Sequence, residues 1–172
     1  MRGVLKMIRQ AHMEDARGLA ALIRQVESES PFMLYEAGER ELTEEAQRKM
    51  MERFSRQKNA TIFVAEENET LAGYLIAIGG TARKNKHSAY IVVGILQEHQ
   101  GKGIGTALFQ ELENWAMQSG LHRLELTVIT ENLAGTALYE KAGFQKEGVK
   151  KDSLYMDGKY VDEYCMSKIL EG

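Results

Sequence analysis

The run Gln100-Gly101-Lys102-Gly103-Ile104-Gly105-Thr106 follows an apolar segment, Tyr90 to Leu96, and opens an amphipathic helix. The first turn of a helix has backbone N–H groups without intrahelical partners, placed at the positive end of the macrodipole, and anions bind there. Three glycines at alternate positions remove the Cβ atoms that would hold a phosphate away and allow the turn dihedrals that close approach requires. Two common phosphate patterns do not fit. GxGxxG would need glycine where Thr106 stands, and GxxxxGK[ST] has no match around these glycines.

A second constellation reads Asn132-Leu133-Ala134-Gly135-Thr136-Ala137-Leu138-Tyr139-Glu140-Lys141-Ala142-Gly143-Phe144. Asn132 and Tyr139 are seven residues apart, two helical turns, with Thr136 between them, so an amide, a hydroxyl and a phenol face one neighbour. Taken alone, the same spacing also describes a helix that caps itself with Asn132 and buries Tyr139 in the core.

The elements that must position these groups follow from periodicity. Leu5 to Arg9 is a short strand, and Ala16, Leu19, Ala20, Ile23 and Val26 mark a helix from Met13 to about Ser28. Thr43 caps a second helix to about Gln57, with Ala46, Met50 and Phe54 as its buried stripe. Thr61 to Ala65 and Leu71 to Gly79 form a hairpin through Asn68-Glu69-Thr70, and Ser88 to Leu96 is the next strand. The third helix buries Ile104, Leu108, Leu112 and Trp115 and stops at Gly120. Leu124 to Val128 is a strand, Asn132 caps a helix that Gly143 ends, and a final hairpin turns at Asp157-Gly158. The order β-α-α-β-β-β-α-β-α-β-β predicts an α/β (α+β) fold with a mixed, mostly antiparallel sheet flanked by helices.

With 172 residues and 44% hydrophobic content, the chain is expected to form one domain, residues 1–172. The net charge of −3 and the dispersed basic residues argue against nucleic acid as a partner. One cysteine, Cys165, excludes an internal disulfide, and the four histidines show no ligand spacing with it, so no metal is expected. No stretch approaches the roughly 20 apolar residues of a membrane span, and Met1 to Met7 lacks a signal-peptide run. A cytoplasmic protein without a membrane partner is the expectation, with homodimerisation through the C-terminal strands or a sheet edge.

Together the two motifs resemble the GNAT superfamily of acetyl-CoA-dependent N-acetyltransferases. Gln100-x-x-Gly103-x-Gly105 is similar to that family's pyrophosphate loop, and Asn132 through Phe144 to its Asn-x-x-Ala-x-x-Leu-Tyr-x-x-x-Gly-Phe stretch. The ending Asp157-Gly158-Lys159-Tyr160-Val161-Asp162-Glu163 looks like the C-terminal hairpin of many bacterial members. The resemblance implies acetyl-CoA as cosubstrate, with the pyrophosphate on Gln100, Gly101, Lys102, Gly103, Ile104, Gly105 and Thr106. It implies that Val93, Gly94, Ile95 and Leu96 offer a strand edge to the pantetheine arm, with Gly94 at a bulge that opens a slot. Asn132 and Thr136 would lie against the pantetheine, and Lys102 and Lys141 near the outer phosphates.

Acetyl transfer to an amine needs a neutral nitrogen, an oxyanion donor and a departing thiolate. Tyr139 suits the last step, and the backbone N–H of Ile95 or Leu96 the oxyanion. No carboxylate lies between His87 and Leu96. Ala89 stands where some members carry a glutamate, so water relayed from backbone carbonyls, or a residue elsewhere, must serve as base, with His87 and Tyr90 as candidates. Acceptor selection is expected from the first two helices and their connection, with Phe32 and Tyr35, together with Tyr90, as lining residues. Seven glutamates and one basic residue, Arg40, lie between Glu27 and Glu45, which suits either a cationic small-molecule or peptide amine or a solvated acidic face. The absent base also suits a rival reading, an acyl-CoA-binding sensor without turnover.

Overall fold

The computed structural model describes residues 6–171, so Leu5 of the expected first strand lies outside the described residues. In chain order the elements are β1 (Lys6–Gln10), a 3-10 turn at Met13–Asp15, α1 (Ala16–Glu29), α2 (Glu44–Ser55), β2 (Thr61–Glu67), β3 (Thr70–Gly79) and β4 (Ser88–Ile95). A 3-10 turn at Gln97–His99 leads to α3 (Ile104–Gln118), then β5 (Arg123–Ile129), α4 (Leu133–Lys141), β6 (Gln145–Met156) and β7 (Lys159–Ile169). The element order and the mixed, mostly antiparallel sheet expected from the sequence are both present.

The strands form one sheet in the order β1-β2-β3-β4-β5-β7-β6. Among the described residues, β4 and β5 are the parallel neighbours, because the chain between them crosses over through α3 rather than through a tight turn. Their pairing is short. It runs from Ser88↔Arg123 to Tyr90↔Glu125 and stops, while β4 continues to Ile95 and β5 to Ile129. Beyond Tyr90 the two strands part, and the sheet has a wedge-shaped opening at its centre.

Each face of the sheet carries its own core. Leu19, Ile23 and Val26 of α1 and Met51 and Phe54 of α2 pack on Val64 and Tyr74. Leu108 and Leu112 of α3 cover Leu75, Leu124 and Met166 on the other face. Burial of one such leucine contributes about 1.5–3 kcal/mol, so each helix is fixed to the sheet by its apolar stripe rather than by helix propensity.

Three expectations are corrected. The inner face of α2 carries Gln47, Met51 and Phe54, whereas Ala46 is exposed and Met50 half-buried. Thr43 Oγ1 accepts from the Ala46 N–H at 3.1 Å, which places Ala46 in the capped, solvent-facing first turn and moves the stripe on by one residue. In α3, Phe109 and Ala116 are buried beside Leu108 and Leu112, and Trp115 is only partly covered, edge-on to Phe63. Finally, β4 pairs with β3 in unbroken register from Ala89 to Ile95, so no bulge occurs at Gly94. The opening comes from the early end of the β4–β5 pairing.

Candidate active site

The open edge of β4 is set by strand alternation. The Leu96 N–H donates to the Ala72 carbonyl at 2.9 Å, so Leu96 and, two residues back, Gly94 turn their backbone groups toward β3. Val93 and Ile95 therefore turn theirs into the opening. Gln100 Nε2 reaches the Ile95 carbonyl there at 3.2 Å. Of the two oxyanion donors expected, Leu96 is thus committed within the sheet, and Ile95 is the one that faces the wedge.

Gly94 is a glycine because of Tyr74. A Cβ on Gly94 would stand 2.6 Å from Tyr74 Cε1 and 2.8 Å from its hydroxyl oxygen. The Tyr74 ring lies across the strand at that point and fills the space a side chain would need.

The wedge leads straight into the start of α3. Gly101 and Gly103 have φ of 73° and 83°, the left-handed region that other residues resist, and nothing lies within 4 Å of a Cβ built on either. The Ala107 N–H takes the first helical bond, to the Gly103 carbonyl at 3.0 Å, leaving the N–H groups of Gly103, Ile104, Gly105 and Thr106 without intrahelical acceptors. No acidic residue occupies this first turn. The site fits a phosphate group on both counts. Gly105 has a different reason: it is buried, and its Cβ would meet Leu138 Cδ2 at 2.8 Å, so the missing side chain lets α4 approach α3.

Two carboxylates fix the segment ahead of this loop. Glu67, buried at the end of β2, holds His99 Nδ1 at 2.5 Å, and Glu29 Oε2 accepts from the Gln97 N–H at 2.8 Å. A hollow lined by Gln25, Glu29, Leu96, Gln97 and Glu98 lies between α1 and this turn.

On α4 the polar groups divide. Asn132 Oδ1 accepts from the Gly135 N–H at 2.9 Å and caps the helix, and the Thr136 hydroxyl donates back to the Asn132 carbonyl at 2.9 Å. Tyr139 sits with Phe109 and Phe144 in a cluster of edge-to-face rings, at centroid distances of 5.7 and 6.4 Å. Burial, assisted by Tyr90, pushes its phenol pKa up to about 12. Tyr139 therefore keeps its proton at physiological pH, as an O–H able to donate a hydrogen bond. Lys102 and Lys141 are exposed, Lys141 in the last turn of α4.

The remaining candidates separate. The Tyr90 hydroxyl lies 2.7 Å from Thr127 Oγ1 and ties β4 to β5 where their pairing ends. His87 is at the far end of β4, its carbonyl accepting from His122 and Arg123, about 20 Å of strand from Gly94. That distance removes it as a base. Phe32 is half-buried, and Tyr35 has the Arg40 guanidinium over its ring at 4.1 Å. Arg40 in turn donates to Glu27, a buried glutamate that sequence reading passed over. The signal was present: Glu27 falls four residues after Ile23 and seven after Ala20, a charge on the apolar stripe of α1. Three of the seven glutamates of the acidic stretch are ion-paired, Glu44 with Arg48, Glu45 with Lys49 and Glu27 with Arg40.

Comparison with known proteins places the fold. A model of the acetyltransferase (GNAT) family matches residues 25–144, and the chain belongs to that family. It is similar to the acetyltransferase of the GNAT family from Streptococcus pneumoniae, at 30% identity and TM-score 0.93 over 97% of this chain and 100% of that one. The yncA structure from Salmonella typhimurium, solved with its cofactor acetyl-CoA, shares the fold at 19% identity and TM-score 0.85 over 96% of this chain and 94% of that one. Among curated proteins, the L-2,4-diaminobutyric acid acetyltransferase of Halalkalibacterium halodurans is 34% identical over 84 residues, 47% of this chain and 42% of that protein. The L-amino acid N-acyltransferase MnaT of Escherichia coli is 30% identical over 88 residues, 48% of this chain and 49% of that protein. The chain thus spans half or less of the length of these curated relatives.

Proposed function

We propose that this protein is an N-acetyltransferase, residues 1–172 forming one catalytic unit, which moves the acetyl group of acetyl-CoA to a primary amine of a small molecule or peptide. The observation that carries this reading is the open β4 edge at Val93 and Ile95 running into the uncapped start of α3. An extended amide arm with a pyrophosphate at one end fits that combination: strand-like hydrogen bonds for the arm, helix N–H groups for the phosphates. Lys102 and Lys141 would stand near the outer phosphates. The names of the two curated relatives, an amino-acid acyltransferase and a diaminobutyrate acetyltransferase, support an amine acceptor.

In the reaction the neutral amine nitrogen attacks the thioester carbonyl, the C–S bond breaks to release the thiolate, and the nitrogen gives its proton to water relayed along backbone carbonyls. The Ile95 N–H faces the carbonyl oxygen as charge develops, and Tyr139 donates a hydrogen bond to the departing sulfur. With a phenol pKa near 12 against about 8.5 for a thiol, full proton transfer to sulfur is uphill, so Tyr139 stabilises the thiolate rather than neutralising it. Phe32 and Tyr35 line the acceptor side. A cytoplasmic enzyme, paired with a second copy along β6, where Val149 and Tyr155 are exposed, completes the reading.

The second reading, an acyl-CoA sensor without turnover, is favoured by the lack of a carboxylate on β4, where Ala89 is buried. Thiol release from acetyl-CoA measured across a library of primary amines decides between them. Amine-dependent release supports the enzyme, and tight acetyl-CoA binding without release across the library supports the sensor.

A further inference from the structure

Glu27 is a carboxylate with its side chain only 3% exposed, on the sheet-facing side of α1. Arg40 donates twice, from Nε at 3.0 Å and Nη2 at 2.6 Å, and both bonds go to Oε1. Among the described residues no hydrogen bond reaches Oε2. The neighbouring Tyr74 hydroxyl is in the same condition: the residue is 1% exposed, yet its hydroxyl has no hydrogen-bond partner among the described residues. Neither atom is sealed off, since among those residues the fully enclosed side-chain atom without a partner is Gln47 Oε1. Both therefore touch accessible space.

That space can be located. The Tyr74 ring crosses β4 at Gly94, on the wedge, and its hydroxyl feels the Glu27 charge. Burial together with the Glu27 charge holds the Tyr74 phenol well above the usual tyrosine range, so it remains an O–H able to accept through its lone pairs. Glu27 Oε2 and the Tyr74 hydroxyl are thus two unpaired oxygens on the α1 side of the sheet, the second of them against Gly94 of the β4 edge. Both lack a donor, and a buried acceptor without a donor is costly unless an incoming group supplies one.

We propose that Glu27 is the ammonium anchor of the acceptor site, its Oε2 and the Tyr74 hydroxyl receiving the N–H donors of an alkyl primary amine that enters as its cation and gives one proton to solvent water before its nitrogen attacks. This rests on the acetyltransferase reading above and narrows its acceptor class. Arg40 is the positioning partner: it holds Oε1, is itself held over the Tyr35 ring, and so leaves the second oxygen to an incoming donor.

The test compares n-butylamine, a cation at pH 7, with aniline, neutral at pH 7, in thiol-release assays on wild type and Glu27→Gln. Glutamine keeps an oxygen for Arg40 and removes the charge. Expected is a kcat/KM for n-butylamine at least tenfold above that for aniline. In Glu27→Gln its KM should rise at least tenfold with kcat within threefold, while the acetyl-CoA Kd and the thermal midpoint stay in place. A KM within twofold of wild type, or aniline used as well as n-butylamine, overturns the anchor. Should Glu27→Gln fail to fold, Tyr74→Phe serves: a two- to fivefold rise in the n-butylamine KM upholds the proposal and an unchanged KM overturns it. If wild type binds acetyl-CoA and releases no thiol with either amine or with any member of the primary-amine library, the transfer reading has failed. Calorimetric titration of n-butylammonium chloride into the CoA-saturated protein then decides the anchor: heat lost in Glu27→Gln supports it, and no heat with wild type overturns it.

Discussion

The ring of Tyr74 stands where a side chain on Gly94 would have to be, with 2.6 Å separating Cε1 from the missing Cβ. This contact couples β3 to the free edge of β4 at the centre of the molecule. Gly94→Ala should force the ring aside, at a cost of about 1–3 kcal/mol in unfolding free energy. The energetic partner is a single ring, so the same substitution in a Tyr74→Ala background should cost less than half as much. Urea denaturation of the double-mutant cycle measures the coupling, and additive losses would show that something other than Tyr74 demands the glycine.

Tyr139 is held by Phe109 and Phe144 and does not need its hydroxyl to stay in place. Tyr139→Phe should therefore fold normally and bind acetyl-CoA within twofold of wild type. Removal of one donor from a developing charge costs about 10²–10³ in kcat, and a fall of that size is expected here. Unaltered turnover in the variant would take the thiolate role away from Tyr139.

The glycines of the loop divide into two kinds. Gly101 and Gly103 have left-handed φ and open space around them, so alanine meets backbone strain of about 1–2 kcal/mol but no neighbour. The loop can relieve that strain only by leaving its anion-binding shape, and Gly103→Ala should weaken acetyl-CoA binding at least tenfold. Gly105→Ala instead meets Leu138 and should lower the thermal midpoint with less than threefold effect on binding. Calorimetry and thermal melts on both variants separate the two roles.

These cases show what sequence reading can reach. Element order and the α3 start were legible because glycine placement, caps and apolar periodicity are local properties. Gly105 was read as part of the phosphate cradle, and only the packing of α4 reveals Leu138 against it. A strand glycine has several causes, a bulge among them, and the cause at Gly94, Tyr74, is twenty residues away and adjacent only through the β3–β4 register. Asn132 and Thr136 suit a ligand-facing and a helix-capping reading equally by spacing, and the hydrogen bonds make Asn132 the cap and tie Thr136 to its carbonyl. Glu27 was visible as a charge on an apolar stripe, but its meaning depends on Arg40, which reaches it from the irregular segment between α1 and α2.

His99 and Glu67 anchor the turn before the loop from a strand on the opposite side of β3. If the carboxylate orders that turn in advance, its loss should be felt in cofactor binding, because ordering must then be supplied on binding. Glu67→Ala is expected to weaken acetyl-CoA affinity three- to tenfold and to leave kcat at saturating cofactor within twofold. His99→Ala should give the same result, and the double variant should be no worse than either single one. Additive losses in Kd would indicate that the two residues act separately.

Alkaline pH provides a test of the buried phenols that does not require a substrate. Tyr139 holds its proton up to about pH 12 in the folded chain, whereas an unfolded tyrosine releases it near 10. Between these values the unfolded state binds fewer protons than the folded one, so stability must fall as pH rises, and the contribution is intact below pH 10. For Tyr139 alone the loss is on the order of 1.4 kcal/mol at pH 11, and Tyr74, shifted the same way, adds to it. Unfolding free energies of wild type and Tyr139→Phe at pH 9 and pH 11 isolate the term, since other titrating groups cancel in the difference. The variant should lose about 1.4 kcal/mol less than wild type across that interval. Equal losses would mean that Tyr139 ionises in the folded protein as readily as in the unfolded chain, and the donor assigned to the leaving thiolate would then be an ordinary surface phenol.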